Sequence, residues 1–379
     1  MQAVYLDHAA TSPVHPEVIE TMAEIEKTFF GNPSSIHRFG RDARKQVEQA
    51  RATIAESIGA KENEIVFTSG GTEADNLAII GTALKRKRGH IVTTAIEHHA
   101  VLKACEYLET LGFHVTYVPV DKDGIVRVDA IRSAIRNDTF LVSVMLANNE
   151  VGTIQPIREI GNLLKDTPIV FHTDAVQAYG LMSIDVNELG VDLLSTSAHK
   201  LNGPKGIGFL YVKEGIALSP LLYGGEQEKK RRAGTENVPA IVGFQKAVQI
   251  SEQTRESKRA EYEKFRNAML ELFEENKIDY YINGHGSQRL PHILNVSFSK
   301  TTAEALLVSL DLAGVAASSG SACTAGTLQP SHVLKAMFPD DEERVKSAIR
   351  FSFGYGNTLE DIESAARETI RAVERITGR

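Results

Sequence analysis

The sequence predicts an α/β protein: a mostly parallel sheet flanked by helices, followed by a smaller α+β domain at the C-terminal end. Three observations predict this. Between about residues 60 and 215, short runs rich in β-branched residues alternate with amphipathic stretches, the pattern of strands joined by crossover helices. A polar helical stretch at 251–276 then interrupts the alternation, and beyond it short strands and helices mix. Finally, 379 residues are more than one hydrophobic core usually organises.

Taken in order, strands are expected at 65–68, 90–94, 114–118, 140–146, 168–173, 193–196 and 207–212. Helices are expected between them at 72–84, 100–111, 128–135 and 157–164. The last two strands flank a tight turn and read as a hairpin-like departure from the parallel pattern. Beyond the connector, strands are expected at 293–298 and 348–353, with helices at 303–310, 331–338 and 359–376. The expected division is an N-terminal segment, 1–14, joining the small domain; a large domain, 15–255; and a small domain, 256–379.

An apolar content of 42% with 24% charged residues is that of an ordinary soluble globular protein. A net charge of -7 argues against a general nucleic-acid-binding surface. The basic clusters 85–88 and 229–232 read as a helix end and a solvated face. No apolar run is long enough to span a bilayer. The first seven residues lack the basic region and apolar core of a signal peptide, so the cytoplasm is the default compartment. Two cysteines make no disulfide framework. Cys105 shares a helical face with Val101 and Leu108 and reads as a core residue. Cys323 lies in Ser318-Ser-Gly-Ser-Ala-Cys-Thr-Ala-Gly326, where nothing bulky surrounds it; this composition predicts an exposed, mobile loop carrying a thiol.

The most informative residue is Lys200, in Leu193-Leu-Ser-Thr-Ser-Ala-His-Lys-Leu-Asn-Gly203. A strand delivers its amine to a glycine-rich turn, and a partly desolvated amine can lose its proton and form a Schiff base. The competing reading is a surface lysine in a hairpin. Schiff-base chemistry points to pyridoxal phosphate, which demands further groups. Its phosphate needs backbone N–H donors at a helix N-terminus. Ile65-Val-Phe-Thr-Ser-Gly-Gly-Thr-Glu-Ala-Asp75 offers a strand, a turn and a helix opening at Gly71 and Thr72, though an ordinary βα loop also favours glycine. Its ring nitrogen needs an acid, and Asp174 ends an apolar strand, where open α/β sheets bind ligands. At 4 Å and an effective dielectric near 20, opposite charges attract by about 4 kcal/mol. That is roughly three pK units, enough to keep the ring protonated as an electron sink. Alternatively, Asp174 caps a helical turn. His172 shares its strand face, and a His-x-Asp pair can ligate a metal, but no further cluster with metal-ligand spacing accompanies it. GxGxxG and GxxxxGK[ST] are absent, which disfavours dinucleotides and nucleoside triphosphates.

Ser197-Ala-His-Lys200, Asp174-Ala-Val-Gln177, Glu97-His98 and Ser318-Ser-Gly-Ser-Ala-Cys323 together resemble the NifS/IscS-like cysteine desulfurases, of the class V branch of fold-type I pyridoxal phosphate enzymes. The similarity runs from Tyr5-Leu-Asp-His-Ala-Ala-Thr11 to Ser347-Ala-Ile-Arg-Phe-Ser352, and the cysteine loop looks like the long-loop class I. The resemblance implies conversion of L-cysteine to L-alanine. Lys200 would be the Schiff-base lysine and proton carrier, Asp174 the partner of the ring nitrogen and Gln177 a contact to the ring oxygen. His98 would stack on the ring and assist proton transfer. Gly71, Thr72, Ser197 and His199 would hold the phosphate, with Thr235 reaching it from the second subunit of a homodimer. Asn149 would lie near cofactor and substrate, with Asn148 as the alternative, and Arg350 would grip the substrate carboxylate. Cys323 would take the sulfur as a persulfide and pass it to an acceptor protein: an iron–sulfur scaffold, a tRNA thiolase or a relay protein. A free cysteine thiol titrates near about 8.5, so only about 3% of it is ionised at neutral pH and Cys323 needs activation. Gly320 and Gly326 make a swinging loop conformationally inexpensive. Gly224-Gly-Glu-Gln-Glu228 departs from the Gly-Gly-Gly-Gln-Glu of much of the family. The chain looks most like desulfurases of Gram-positive bacteria that supply tRNA thiolation. Competing readings are a selenocysteine lyase or another class V lyase or aminotransferase, and a non-enzymatic scaffold on the same fold.

Overall fold

The computed structural model of the chain describes residues 3–320, 323–324, 327–328 and 330–378. A seven-stranded sheet organises the larger part, in the spatial order Ile65–Thr68, Gly208–Val212, Leu193–Ser197, Val170–Asp174, Thr139–Ser143, His90–Thr94 and His114–Val118. The last five of these run parallel. Gly208–Val212 runs antiparallel to both of its neighbours, so Ile65–Thr68 points the same way as the parallel five. The expected hairpin around Lys200 is therefore the one reversal in the sheet, and the carboxyl ends of the other strands share one edge.

Alternation along each strand sends neighbouring residues to opposite faces. Phe67, Val92, Val142, Phe171 and Leu194 join one core with Val47 and Ile54 of the Arg38–Glu56 helix and Phe244. Val66, Leu193 and Leu210 pack on the other face against Ala74, Leu77 and Ala78 of the Gly71–Ala83 helix. Ile91 and Leu141 pack on Val101, Cys105 and Leu108 of the His99–Thr110 helix. Cys105 is fully buried, as its spacing implied.

A second core belongs to the C-terminal part. The antiparallel strands Tyr280–Asn283, Ile293–Phe298 and Ala348–Ser352, with Ile293–Phe298 central, cover it from one side. Phe273, Phe298, Phe351 and Ile362 fill it, and Val4 and Leu6 reach in from the N-terminal segment, which pairs in parallel with Val315–Ala316.

The sequence expectation falls short in three places. The connector begins at Val238, not at residue 251: Val238–Glu275 is one continuous helix of 38 residues. Asn237 caps it by accepting from the backbone of Ala240, with a proline in the first turn. Its first half is apolar on most sides because it is buried, so it lacks the polar face that marked the second half. The helices Pro16–Thr28 and Arg38–Glu56 also precede the expected alternation, and Tyr280–Asn283 adds a strand. Among the described residues no helix is long and apolar enough to cross a membrane.

Candidate active site

A cavity of about 370 Å³ opens at the carboxyl edge of the large sheet. The sequence-predicted residues Gly71, Thr72, His98, Asn149, Asp174, Gln177, Ser197, His199, Lys200 and Arg350 all line it. They come from segments far apart in the chain, so the topology, and no local motif, brings them together. Thr235 is exposed and does not line this chain's own cavity. Residues 323–324 pair with 327–328 as a short antiparallel ribbon, but the Cys323 side chain, like Gly326, lies outside the described residues.

Lys200 ends a short 3-10 turn that follows the Leu193–Ser197 strand. Its Nζ donates to the carbonyls of Ala9 at 2.5 Å and Ala10 at 2.8 Å. Burial, with Arg350 beside it, brings its pKa down to about 8. Two neutral carbonyls hold the amine in place without locking it in the charged state. Opposite, Asp174 ends its strand and accepts the Val176 N–H at 2.8 Å. Burial pushes its pKa up to about 6. Behind it Asp75 is raised further by burial and by the Asp174 charge, and its Oδ1 is buried without a hydrogen-bond partner. One ligating atom each of Asp75, His98 and Asp174 lies within 4.8 Å of the others.

His98 sits where the His99–Thr110 helix begins. Its Nδ1 accepts the Ala100 N–H at 3.1 Å, which leaves the proton of the neutral ring on Nε2. Its desolvated surroundings, with Lys200 nearby, lower its pKa to about 4. The turn that presents it is held from behind by buried Glu97, which accepts from Thr94 Oγ1 at 2.6 Å and from the Met145 N–H at 3.0 Å. Burial raises Glu97 to about 8.

The Gly71–Ala83 helix points its N-terminus into the cavity. Gly70 has a φ of +149°. A Cβ on Gly71 would meet Val176 Cγ2 at 2.8 Å, so the turn is kept open by glycine. Ser197 and His199 face it; His199 Nδ1 lies 3.2 Å from Thr11 Oγ1, and burial takes its pKa to about 4. Gln177 Nε2 donates to the Ala9 carbonyl at 2.9 Å. Arg350 Nη1 donates to the Asn149 carbonyl at 2.8 Å and Nη2 to Asp7 Oδ1 at 2.8 Å, while its buried Nε has no hydrogen-bond partner.

Two alternatives left open by the sequence are separated by this geometry. Asn148 is fully buried, its Oδ1 accepting from the backbone of Glu150 and Val151, so the residue facing the cavity is Asn149. His172 has both ring nitrogens on serine hydroxyls, Ser143 at 2.8 Å and Ser195 at 2.9 Å, and burial drops its pKa to about 3. It supports the wall and is not aimed with Asp174. The parts played by Asp75, Glu97 and Asp7 do not emerge from the sequence. Asp75 follows Thr72 by one helical turn and shares its face, while Glu97 and Asp7 stand inside the motifs quoted for the resemblance without a role attached to them.

Pyridoxal phosphate fits this set on four observations: an amine of lowered pKa, a buried carboxylate in the same cavity with a second one, Asp75, whose Oδ1 lacks a hydrogen bond, a histidine lining that cavity with a ligating atom within 4.8 Å of both carboxylates, and a glycine-opened helix N-terminus. The fold that carries this set is that of the fold-type I pyridoxal phosphate enzymes. A family model, aminotransferase class-V, matches residues 4–364, and the chain belongs to that family. Within it, the resemblance is to the desulfurases. A protein of Bacillus subtilis (strain 168) that carries the IscS name is 56% identical over 379 residues, 100% of both chains. The "Cysteine desulfurase IscS" of Dictyoglomus turgidum is 48% identical over 375 residues, 98% of this chain and 95% of that one. A solved NifS-like protein superposes with a TM-score of 0.92 at 35% identity, covering 100% of both chains.

Proposed function

We propose that the chain is a pyridoxal phosphate-dependent cysteine desulfurase, turning L-cysteine into L-alanine and moving the sulfur to an acceptor protein, such as a scaffold for iron–sulfur assembly. The observation that carries this reading is that the amine of Lys200 and the buried carboxyl of Asp174 line one cavity at the carboxyl edge of the sheet. When bound, the cofactor supplies an electron sink that loosens bonds at the substrate Cα.

The chain's own groups do the rest. The helix N-terminus at Gly71 and Thr72, with Ser197 and His199, would hold the phosphate. Asp174 would ionise against the ring nitrogen and keep it protonated. Gln177 would orient the ring edge and His98 would cover its face. Arg350 would take the substrate carboxylate, placing the Cα proton within reach of Lys200 Nζ. Neutral His98, with its proton on Nε2, is suited to pass a proton to or from the substrate thiol. The Cys323 thiolate would then attack the substrate sulfur. The carbon–sulfur bond breaks as the sulfur–sulfur bond forms, the electron pair returns to carbon, and a proton completes alanine. Cysteine and one enzyme thiol thus become alanine and one enzyme persulfide, with no outside oxidant. Thr235 would serve a second copy of the chain, in a homodimer.

The test is Cys323→Ala with sulfur-labelled cysteine and a reductant. It keeps the bound cofactor's visible absorbance and loses labelled sulfide release. Undiminished release overturns the role of Cys323. Failure of the unsubstituted protein to form alanine overturns the function.

A further inference from the structure

The segment that carries Thr235 is fastened to the phosphate turn by charge. Glu73, the third residue of the Gly71–Ala83 helix, accepts the Ser69 N–H at 2.7 Å and so closes the turn from Ser69 to Thr72. The same carboxylate binds Arg232, with Nε at 2.8 Å and Nη2 at 3.3 Å. Burial works against the Glu73 charge, but Arg232 and Ser69 hold its pKa below the ordinary carboxylate range. Arg232 lies three residues before Thr235.

A second anchor lies beside it. Glu228 accepts two bonds of 2.8 Å from buried Arg51 and one of 3.0 Å from the Phe67 N–H of the strand that feeds the turn. Glu228, Lys229 and Lys230 have φ of 46°, 56° and 66°, a run of left-handed non-glycine residues that stays only where its surroundings fix it. The segment 224–237 is thus tied down at two points on one unit, the strand and helix that flank the phosphate turn.

Glu73 poses an electrostatic problem. A phosphate monoester carries a charge of about -1.5 to -2 at neutral pH, and Glu73 sets a carboxylate next to the turn that would receive it. Arg232 cancels that charge. We infer that Arg232 is a positioning residue for the cofactor phosphate, acting through Glu73: it neutralises the carboxylate that shapes the turn and fixes the segment that presents Thr235. This rests on the pyridoxal phosphate reading.

The test compares pyridoxal phosphate with pyridoxal, which lacks the phosphate, by absorbance titration of cofactor-free protein. In Arg232→Gln the dissociation constant for pyridoxal phosphate rises about tenfold or more, while that for pyridoxal changes less than about twofold. Removing the bare carboxylate as well, in Glu73→Gln/Arg232→Gln, recovers most of the loss, a non-additivity expected of a directly coupled pair. Arg232→Lys, which keeps the charge, stays within about threefold of the unsubstituted protein and serves if the glutamine variant does not fold. Equal loss for both ligands, or no loss for either, overturns the inference. If the unsubstituted protein binds neither ligand, the cofactor reading itself fails.

Discussion

Under the proposed function, the protonation state of Lys200 sets when the site can work. Its amine is a nucleophile only as the free base, and its pKa of about 8 stands below the 10.5 of an ordinary lysine. The rate of cofactor capture by cofactor-free protein rises about tenfold per pH unit up to about 8 and levels off above, as followed by absorbance. The same shift has a stability sign. Between about 8 and 10.5 the unfolded chain holds the lysine proton and the folded chain does not, so this group's contribution to stability grows as pH rises through that window. Asp174 has the opposite shift: at about 6 against 3.8, it makes the cofactor-free fold lose stability as pH rises from about 4 to 6. Denaturant titration across pH 4 to 10 checks both, with Lys200→Met removing the upper limb. At this scale most of the site was legible. Arg350 is expected from the family resemblance alone, whereas Lys200, Asp174 and Gly71 sit in local runs that advertise their chemistry. Glu73 and Arg232 do not, because their pairing joins positions 159 residues apart and either residue alone reads as a solvated charge.

The elements position these groups through their ends. The Gly71–Ala83 helix would hold a phosphate at its N-terminus only if its first turn stays open. Gly71→Ala drives a Cβ to within 2.8 Å of Val176 Cγ2, so the turn must shift. Affinity for pyridoxal phosphate is expected to fall by about tenfold, and Gly71→Ala with Val176→Ala to recover part of it, by the same absorbance titration. The Val238–Glu275 helix depends on its cap: Asn237→Ala removes the acceptor for the Ala240 N–H and is expected to cost about 1 kcal/mol in denaturant unfolding. The strands of the large sheet were legible because buried parallel strands read as apolar runs. The first half of the long helix was not, because burial on most sides erases the period that marks a helix. Arg38–Glu56 differs: it has a clear polar and apolar face, but it stands ahead of the strand–helix alternation that signals the fold, with no strand before it to mark it as part of a crossover unit.

For the whole molecule, the long helix is the structural link. At about 1.5 Å per residue its 38 residues extend about 57 Å. Ile241 and Phe244 near its start belong to the large core, and Phe265, Met269 and Phe273 near its end to the small one. The expected boundary after residue 255 therefore falls inside one unbroken element. Unfolding should register as a single cooperative transition by calorimetry. Phe273→Ala, which empties a fully buried ring site against Phe298, should lower stability by about 3–5 kcal/mol and shift that transition as a whole; a split endotherm would show two independent units. Cys105 adds a practical consequence. Fully buried and with its pKa pushed up to about 12, it is silent toward alkylating reagents in the native state. With Cys105 silent, alkylation of the folded protein is expected to report on Cys323 alone: label on a free thiol is a thioether that resists reductant, whereas label on a persulfide is released by it, so the reductant-released fraction after substrate is added gauges sulfur loading.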